Sequence, residues 1–160
     1  MPKTNKTSAG ILLYRITGGA LQFLLVHPGG PFYARKDAGV WSIPKGEIED
    51  SEADPLATAI REFQEETGFE LSVAGAKRLQ PVRIKSGKVI HAWAVKGEAD
   101  PSAIRSNRFE MEWPPRSGRM ASFPEADRAQ WFSLSDARVK INAGQVPLLD
   151  ELAEMHIGAG

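Results

Sequence analysis

The stretch Asp54–Gly68 (DPLATAIREFQEETG) carries both ends and both faces of one helix. Asp54 can cap free N–H groups, and Pro55 is tolerated at the first helical position. Gly68 accepts the left-handed conformation that stops a helix. A helix is therefore expected over Pro55–Thr67. Leu56, Ala59, Ile60 and Phe63 fall on one apolar stripe, so this helix must pack on a core. Glu62, Glu65 and Glu66 share another face about a third of a turn away, because successive residues advance by about 100°. A chain containing this helix has to fold so that three carboxylates line its packed edge and open onto a groove.

That carboxylate face breaks a local rule. Glu62 and Glu66 form a like-charge i,i+4 pair, which costs a few tenths of a kcal/mol on a free helix. No Lys or Arg stands four residues after either. A bound divalent cation would offset the repulsion. With no cysteine in the chain and no helical His pair, a hard oxygen-seeking ion is favoured, Mg²⁺ or Mn²⁺ over zinc. Such an ion suits phosphate chemistry, where it neutralises developing charge and positions a water. A neighbouring carboxylate can take that water's proton. Arg61 lies four residues before Glu65 and can pair with it, fixing its rotamer. Lys45 can offer a cation to a phosphate oxygen, and Gly46 has no side chain to keep its backbone from an ion.

The rest of the chain frames this helix. At 160 residues it fits a single domain spanning 1–160 with a sizeable core. Formal net charge is zero, which argues against a general nucleic-acid binder. The start MPKTNKTSAG lacks the apolar run of a signal peptide, and no stretch approaches a bilayer span. A cytoplasmic protein without a membrane partner is the expectation, as monomer or homodimer. Residues 1–7 are expected to be flexible. Ala9–Tyr14 and Leu21–Val26 read as paired strands around a turn at Thr17–Gly19. His27–Val40 reads as a loop, and Trp41–Gly46 (WSIPKG) as an extended piece ending in a turn. Strands are expected at Leu71–Ala74, Lys77–Ile84 and Val89–Val95, with a hairpin turn at Ser86-Gly87. Residues 96–124 read as a long loop with one strand, Phe109–Trp113, of a length that is often functional. Gln130–Phe132 is expected as the last strand, Ser135–Ala137 as a helical turn, and Val146–Met155 as an amphipathic helix.

Residues Gly46–Phe69 (GEIEDSEADPLATAIREFQEETGF) resemble the signature box of the Nudix (MutT-like) hydrolases. That box runs Gly, five residues, Glu, seven residues, then Arg-Glu-apolar-x-Glu-Glu-x-Gly-apolar. Arg61, Glu62, Phe63, Glu65, Glu66, Gly68 and Phe69 match its second half in full. Eight residues, not seven, separate Glu52 from Arg61, which leaves the role of Glu52 open. The resemblance implies an α/β fold, an α/β/α sandwich with a central mixed β-sheet. It implies a Mg²⁺- or Mn²⁺-dependent pyrophosphohydrolase cleaving a nucleoside diphosphate linked to another group, a small-molecule nucleotide substrate. Glu62, Glu65 and Glu66 become metal ligands, with the Gly46 carbonyl as a further one, and Arg61 orients a box glutamate. Glu65 and Glu66 thereby join Arg61 as catalytic candidates.

Many members of the family add a glutamate from outside the box, here Glu110, Glu112 or Glu125. Phe123–Phe132 (FPEADRAQWF) looks like the glutamate-bearing loop of the dinucleoside tetraphosphate hydrolase branch, which favours Glu125. Trp41–Gly46 is similar to the same branch, making Trp41 and Lys45 expected substrate contacts. Phe32, Tyr33 and Trp93 are further rings able to stack on a base. Two other functions fit the resemblance: a nucleoside triphosphate pyrophosphohydrolase of the sanitising type, and a non-catalytic nucleotide sensor.

Overall fold

The computed structural model describes residues 7–159, with side chains to His156. The expected flexible start, 1–7, lies outside the described residues except for Thr7. β1 (Thr7–Thr17) and β2 (Ala20–Pro28) form the expected hairpin. Gly18 and Gly19 turn it with φ of 59° and 83°, the conformation a two-residue hairpin loop demands. Trp41 then bridges to Ile141 and Ser42 to Val26. The piece does not end in a turn: Lys45–Glu47 is a strand, β3, with Ala9 opposite Gly46.

Helix α1 spans Pro55–Thr67, as its caps predict. Asp54 accepts the Leu56 N–H at 3.1 Å, and Gly68 at φ 78° donates to the Gln64 carbonyl at 2.7 Å. After α1 come β4 (Lys77–Arg78), β5 (Val82–Arg83) and β6 (Val89–Lys96). Leu71–Ala74 is not a strand; it runs into a turn at Gly75 (φ 78°). The expected strand 77–84 is split in two around Pro81, which has no N–H to give to a ladder.

The long stretch 96–124 holds a hairpin of its own, β7 (Arg108–Glu112) and β8 (Met120–Pro124). The expected loop with one strand is corrected by this second strand, which pairs residue for residue with the first. β9 (Ala126–Ser133) extends well beyond Gln130–Phe132. α2 (Leu134–Lys140) and α3 (Val146–Ala159) complete the chain.

The main sheet orders its strands β4-β6-β1-β2-β9, with β3 on β1 and β5 on β6. β1 and β6 are parallel and the other pairs antiparallel, so the sheet is mixed. Its period of two sorts the core into two layers. Ala9, Ile11, Leu13, Leu24, Trp93 and Val95 face α1, where Ala59 and Phe63 meet them. Leu12, Phe23, Leu25, Ile90 and Ala92 face the other way, toward Leu148, Leu149 and Leu152 of α3. This is an α/β/α sandwich. Burial of Phe63 contributes about 2–3 kcal/mol and clamps α1 to β1 and β6, which leaves its glutamate face at the layer's edge.

Candidate active site

Glu62, Glu65 and Glu66 line an open cleft of about 550 Å³ with Lys45, Gly46 and Glu125. Two elements set its floor. α1 brings the glutamates, and β3, held on β1, lays Gly46 against them. A Cβ on Gly46 would stand 2.0 Å from Glu62 Cδ and 2.1 Å from its Oε2. Only glycine leaves room for the carboxylate there. Next to it, the Lys45 N–H donates a short hydrogen bond to Glu66 Oε2.

Arg61 organises the outer half. Its Nε and Nη2 donate to the two Glu52 oxygens at 3.1 and 2.9 Å, a bidentate pair. Its Nη1 reaches Glu65 Oε2 at 2.5 Å and Glu62 Oε1 at 3.0 Å. The longer box does not part Glu52 from Arg61. A tight turn, in which Glu52 N donates to Glu49 O at 2.9 Å, absorbs the extra residue and still presents Glu52 to Arg61. That guanidinium, helped by the Glu49 N–H, holds the Glu52 carboxyl down at about 2. We expect Glu52→Gln, which breaks the bidentate grip, to lower kcat roughly tenfold with little change in KM, as loss of an outer-shell partner does. Steady-state kinetics checks this; an unchanged kcat would show that Arg61 needs no anchor.

The cleft's inner carboxylates behave differently. Burial pushes Glu62 upward against the pull of Arg61. Burial also pushes Glu66 up to about 8; the Lys45 N–H and ammonium oppose it, while Glu62 and Glu125 add to it. Burial pushes Lys45 down, with Glu66 opposing. An unfolded glutamate titrates near 4.5. Between that pH and about 8 the folded chain keeps a proton on Glu66 that the unfolded chain has lost, so stability falls as pH rises. The metal-free protein should melt roughly 5 °C lower at pH 8 than at pH 5, and Glu66→Gln should flatten that slope. Scanning calorimetry in chelator across this range tests both.

Of the three glutamates outside the box, the structure brings one to the cleft. Glu112 accepts the N–H groups of Arg116 and Gly118 at 2.9 and 3.2 Å, closing its own hairpin. Glu110 points to solvent opposite Ser122. Glu125 lines the cleft, and the 96–124 stretch puts it there. Arg105 N and Asn107 N donate to the Thr67 and Glu65 carbonyls at 2.8 and 2.6 Å, satisfying the end of α1. Asn107 O then accepts the Glu125 N–H at 2.8 Å. Residues 105–107 thus strap Glu125 to the glutamate helix.

Trp41 does not reach the cleft. It is 1% exposed, with its ring edge-on to Phe132 at 4.9 Å and His27 at 5.2 Å, and its Nε1–H on Asp37 at 2.8 Å. The expected substrate contact is corrected to a core residue, because its faces and its donor are already taken. Trp93 packs under α1 in the same way. Phe32 stays exposed, its ring edge-on to Trp113 at 5.5 Å.

Several lining residues went unread in the sequence. Arg108 and Asn107 border the cleft, and their only signal was membership of a long polar stretch. Lys88 borders an adjoining recess of about 300 Å³ with Ser8, Ser42, Lys45 and Glu66. Its Nζ lies 3.3 Å from Glu47 Oε1, and in sequence it reads as an ordinary turn lysine.

Among the described residues, no three His, Asp or Glu side chains are gathered into a closed metal cage. The donor set nevertheless suits Mg²⁺ or Mn²⁺, which take one or two carboxylates and fill the remaining positions with water and substrate phosphates. Mutually repelling carboxylates packed against Gly46, which has no side chain to keep an ion out, are such a partial shell. No helix is long and apolar enough to cross a membrane.

Known proteins agree with this architecture. The NUDIX domain model matches residues 4–152. No curated protein matches the chain by sequence. An Ap4A hydrolase from C. elegans, solved as a binary complex, superposes with a TM-score of 0.65 at 22% identity, covering 94% of this chain and 98% of that one. The NUDIX domain of Shewanella oneidensis NrtR, solved with ADP ribose, gives 0.66 at 16%, covering 96% and 89%. RenU, a Nudix hydrolase from M. smegmatis, gives 0.54 at 20%, covering 96% and 88%. At these identities the likeness shows the fold. The family match over nearly the whole length, on a chain whose box helix faces a carboxylate-lined cleft, makes this protein a member of the NUDIX domain family.

Proposed function

We propose that the protein is a Mg²⁺- or Mn²⁺-dependent pyrophosphohydrolase that cleaves a nucleoside diphosphate linked to a second group, with a dinucleoside polyphosphate as the favoured substrate. The observation that carries this reading is the convergence of Glu62, Glu66, the Gly46 backbone and Glu125 on one cleft. Glu62, Glu65, Glu66 and the Gly46 carbonyl would hold the ion. When bound, it would neutralise phosphate charge and acidify a water.

The chain's own groups supply the rest. Lys45 meets a phosphate oxygen. Arg61, anchored by Glu52, keeps Glu62 and Glu65 from drifting. Glu125 accepts a proton from the attacking water as the new P–O bond forms and the anhydride P–O bond breaks, so that the leaving phosphate departs with the bridging oxygen. The cleft runs past Lys45 into the recess bordered by Lys88. Lys45 borders both, so a phosphate chain held there can extend toward Lys88, whose ammonium is paired with Glu47.

Incubation with Mg²⁺ or Mn²⁺ and a panel of nucleotides, with products identified, tests the proposal. Two nucleotides from a dinucleotide support it. A monophosphate plus pyrophosphate from triphosphates alone would assign the sanitising reaction instead. Nucleotide binding with no turnover across metals and pH would make the protein a sensor.

A further inference from the structure

A second cavity, of about 330 Å³, shares no residue with the glutamate cleft or its recess. It opens on the face of β9 turned away from α1, over the Trp41–Phe132 ring pair. Arg35, Lys36, Arg128 and Lys140 bring four cations to it, against the single carboxylate of Asp37. Asp37 is already committed to Lys140 Nζ and Trp41 Nε1, which hold its carboxyl below the usual range. Arg35 and Lys36 make no ion pair among the described residues, and the pair Arg128 makes is a long one. Arg128 lies over the Trp41 ring at 5.2 Å; its Nε is 3.8 Å from Asp127, whose carboxylate is bonded to His27 at 2.8 Å. Arg35 is exposed and makes no hydrogen bond or ion pair among the described residues. The glutamate cleft is the electrostatic opposite, with six glutamates against three cations. On a chain of zero net charge, that segregation leaves one small cavity strongly positive.

The walls of this cavity are fastened to one another. Fully buried His27 bridges them, its Nε2 on the Lys36 carbonyl at 2.7 Å and its Nδ1 on Asp127 at 2.8 Å. Trp41 N and Gly39 N donate to the carbonyls of Lys140 and Val139, both at 3.0 Å, tying the loop to α2. The backbone that carries these cations is thus fixed without a ligand, which lowers the ordering cost of an anion site. The cavity is at the small end of ligand pockets, and guanidinium forks match phosphate oxygens two at a time.

We propose that this pocket binds a diphosphate group, free or carried by a small nucleotide, at a site separate from the glutamate cleft. The test is calorimetric titration of the full chain with inorganic pyrophosphate in chelator, where the carboxylate cleft repels anions. One saturable site is expected. Arg35→Glu should weaken it at least tenfold with an unchanged melting temperature, since Arg35 supports nothing else. Lys45→Met, which removes the cleft's phosphate-facing cation, should leave it intact. ADP binding more tightly than pyrophosphate would assign the site to a nucleotide, and equal binding to free diphosphate. The proposal is overturned by no saturable binding, by full binding in Arg35→Glu, by loss in Lys45→Met, or by citrate binding as tightly as pyrophosphate.

Discussion

Glu66→Gln is expected to lower kcat about 10³-fold while leaving the fold intact. The magnitude follows from what the position supplies, since removing a properly placed acid–base or charge-stabilising group typically costs 10²–10⁴-fold. Glu66 is the deepest of the three box carboxylates, held by the Lys45 N–H and facing Glu62 and Glu125. Gln keeps the size and an oxygen able to accept that N–H, so the Lys45 contact survives. It removes only the charge. Because burial already disfavours the ionised form of Glu66, the metal-free variant should melt at or above the wild-type temperature at pH 8. The pairing of collapsed turnover with undiminished stability is what separates a functional carboxylate from a structural one. Turnover within tenfold of wild type on the best substrate of the panel would remove Glu66 from the machinery.

The box helix was legible because everything that specifies it is local. Asp54, Pro55 and Gly68 mark its ends, and the spacing of Phe63 and Glu62 marks its faces. What escaped the sequence depends on partners far along the chain. Glu125 itself was favoured by its likeness to a known loop, but the strap that holds it in the cleft, Asn107 bonded both to it and to the helix terminus, is encoded by no spacing. Met120–Pro124 pairs as a strand only because Arg108–Glu112 lies beside it. Trp41 sits next to Lys45 in a piece similar to a nucleotide-hydrolase branch, yet alternation along the backbone turns its ring into the core against Phe132. Neighbours in sequence need not share a site. Glu52 shows the converse: its count from Arg61 departs from the box pattern, yet the turn at Glu49 restores the bidentate pair in space.

Gly46→Ala is expected to cut activity by at least about 10²-fold with almost no loss of stability, a separation that most glycine substitutions in a strand do not give. Gly46 does not have a positive φ, so alanine can adopt its backbone and loses less entropy on folding than glycine does. The three atoms nearest the added methyl all belong to Glu62, its Cδ at 2.0 Å and its oxygens at 2.1 and 2.4 Å. Ordinary van der Waals contact lies near 3.5–4.0 Å, so the carboxylate must retreat by more than 1 Å. Being the end of a flexible side chain, it can do so at small cost to the fold. It cannot do so and keep its place in the cleft, because the same movement strains its 3.0 Å contact with Arg61. A misplacement of about 1 Å at a reacting centre costs on the order of 10²-fold. Thermal melting in chelator should therefore show a shift of only a degree or two, while the Mg²⁺ or Mn²⁺ needed for half-maximal activity rises. A variant that turns over within a few-fold of wild type at ordinary metal concentration would mean that Glu62 works from elsewhere, and that its contact with Gly46 is packing alone.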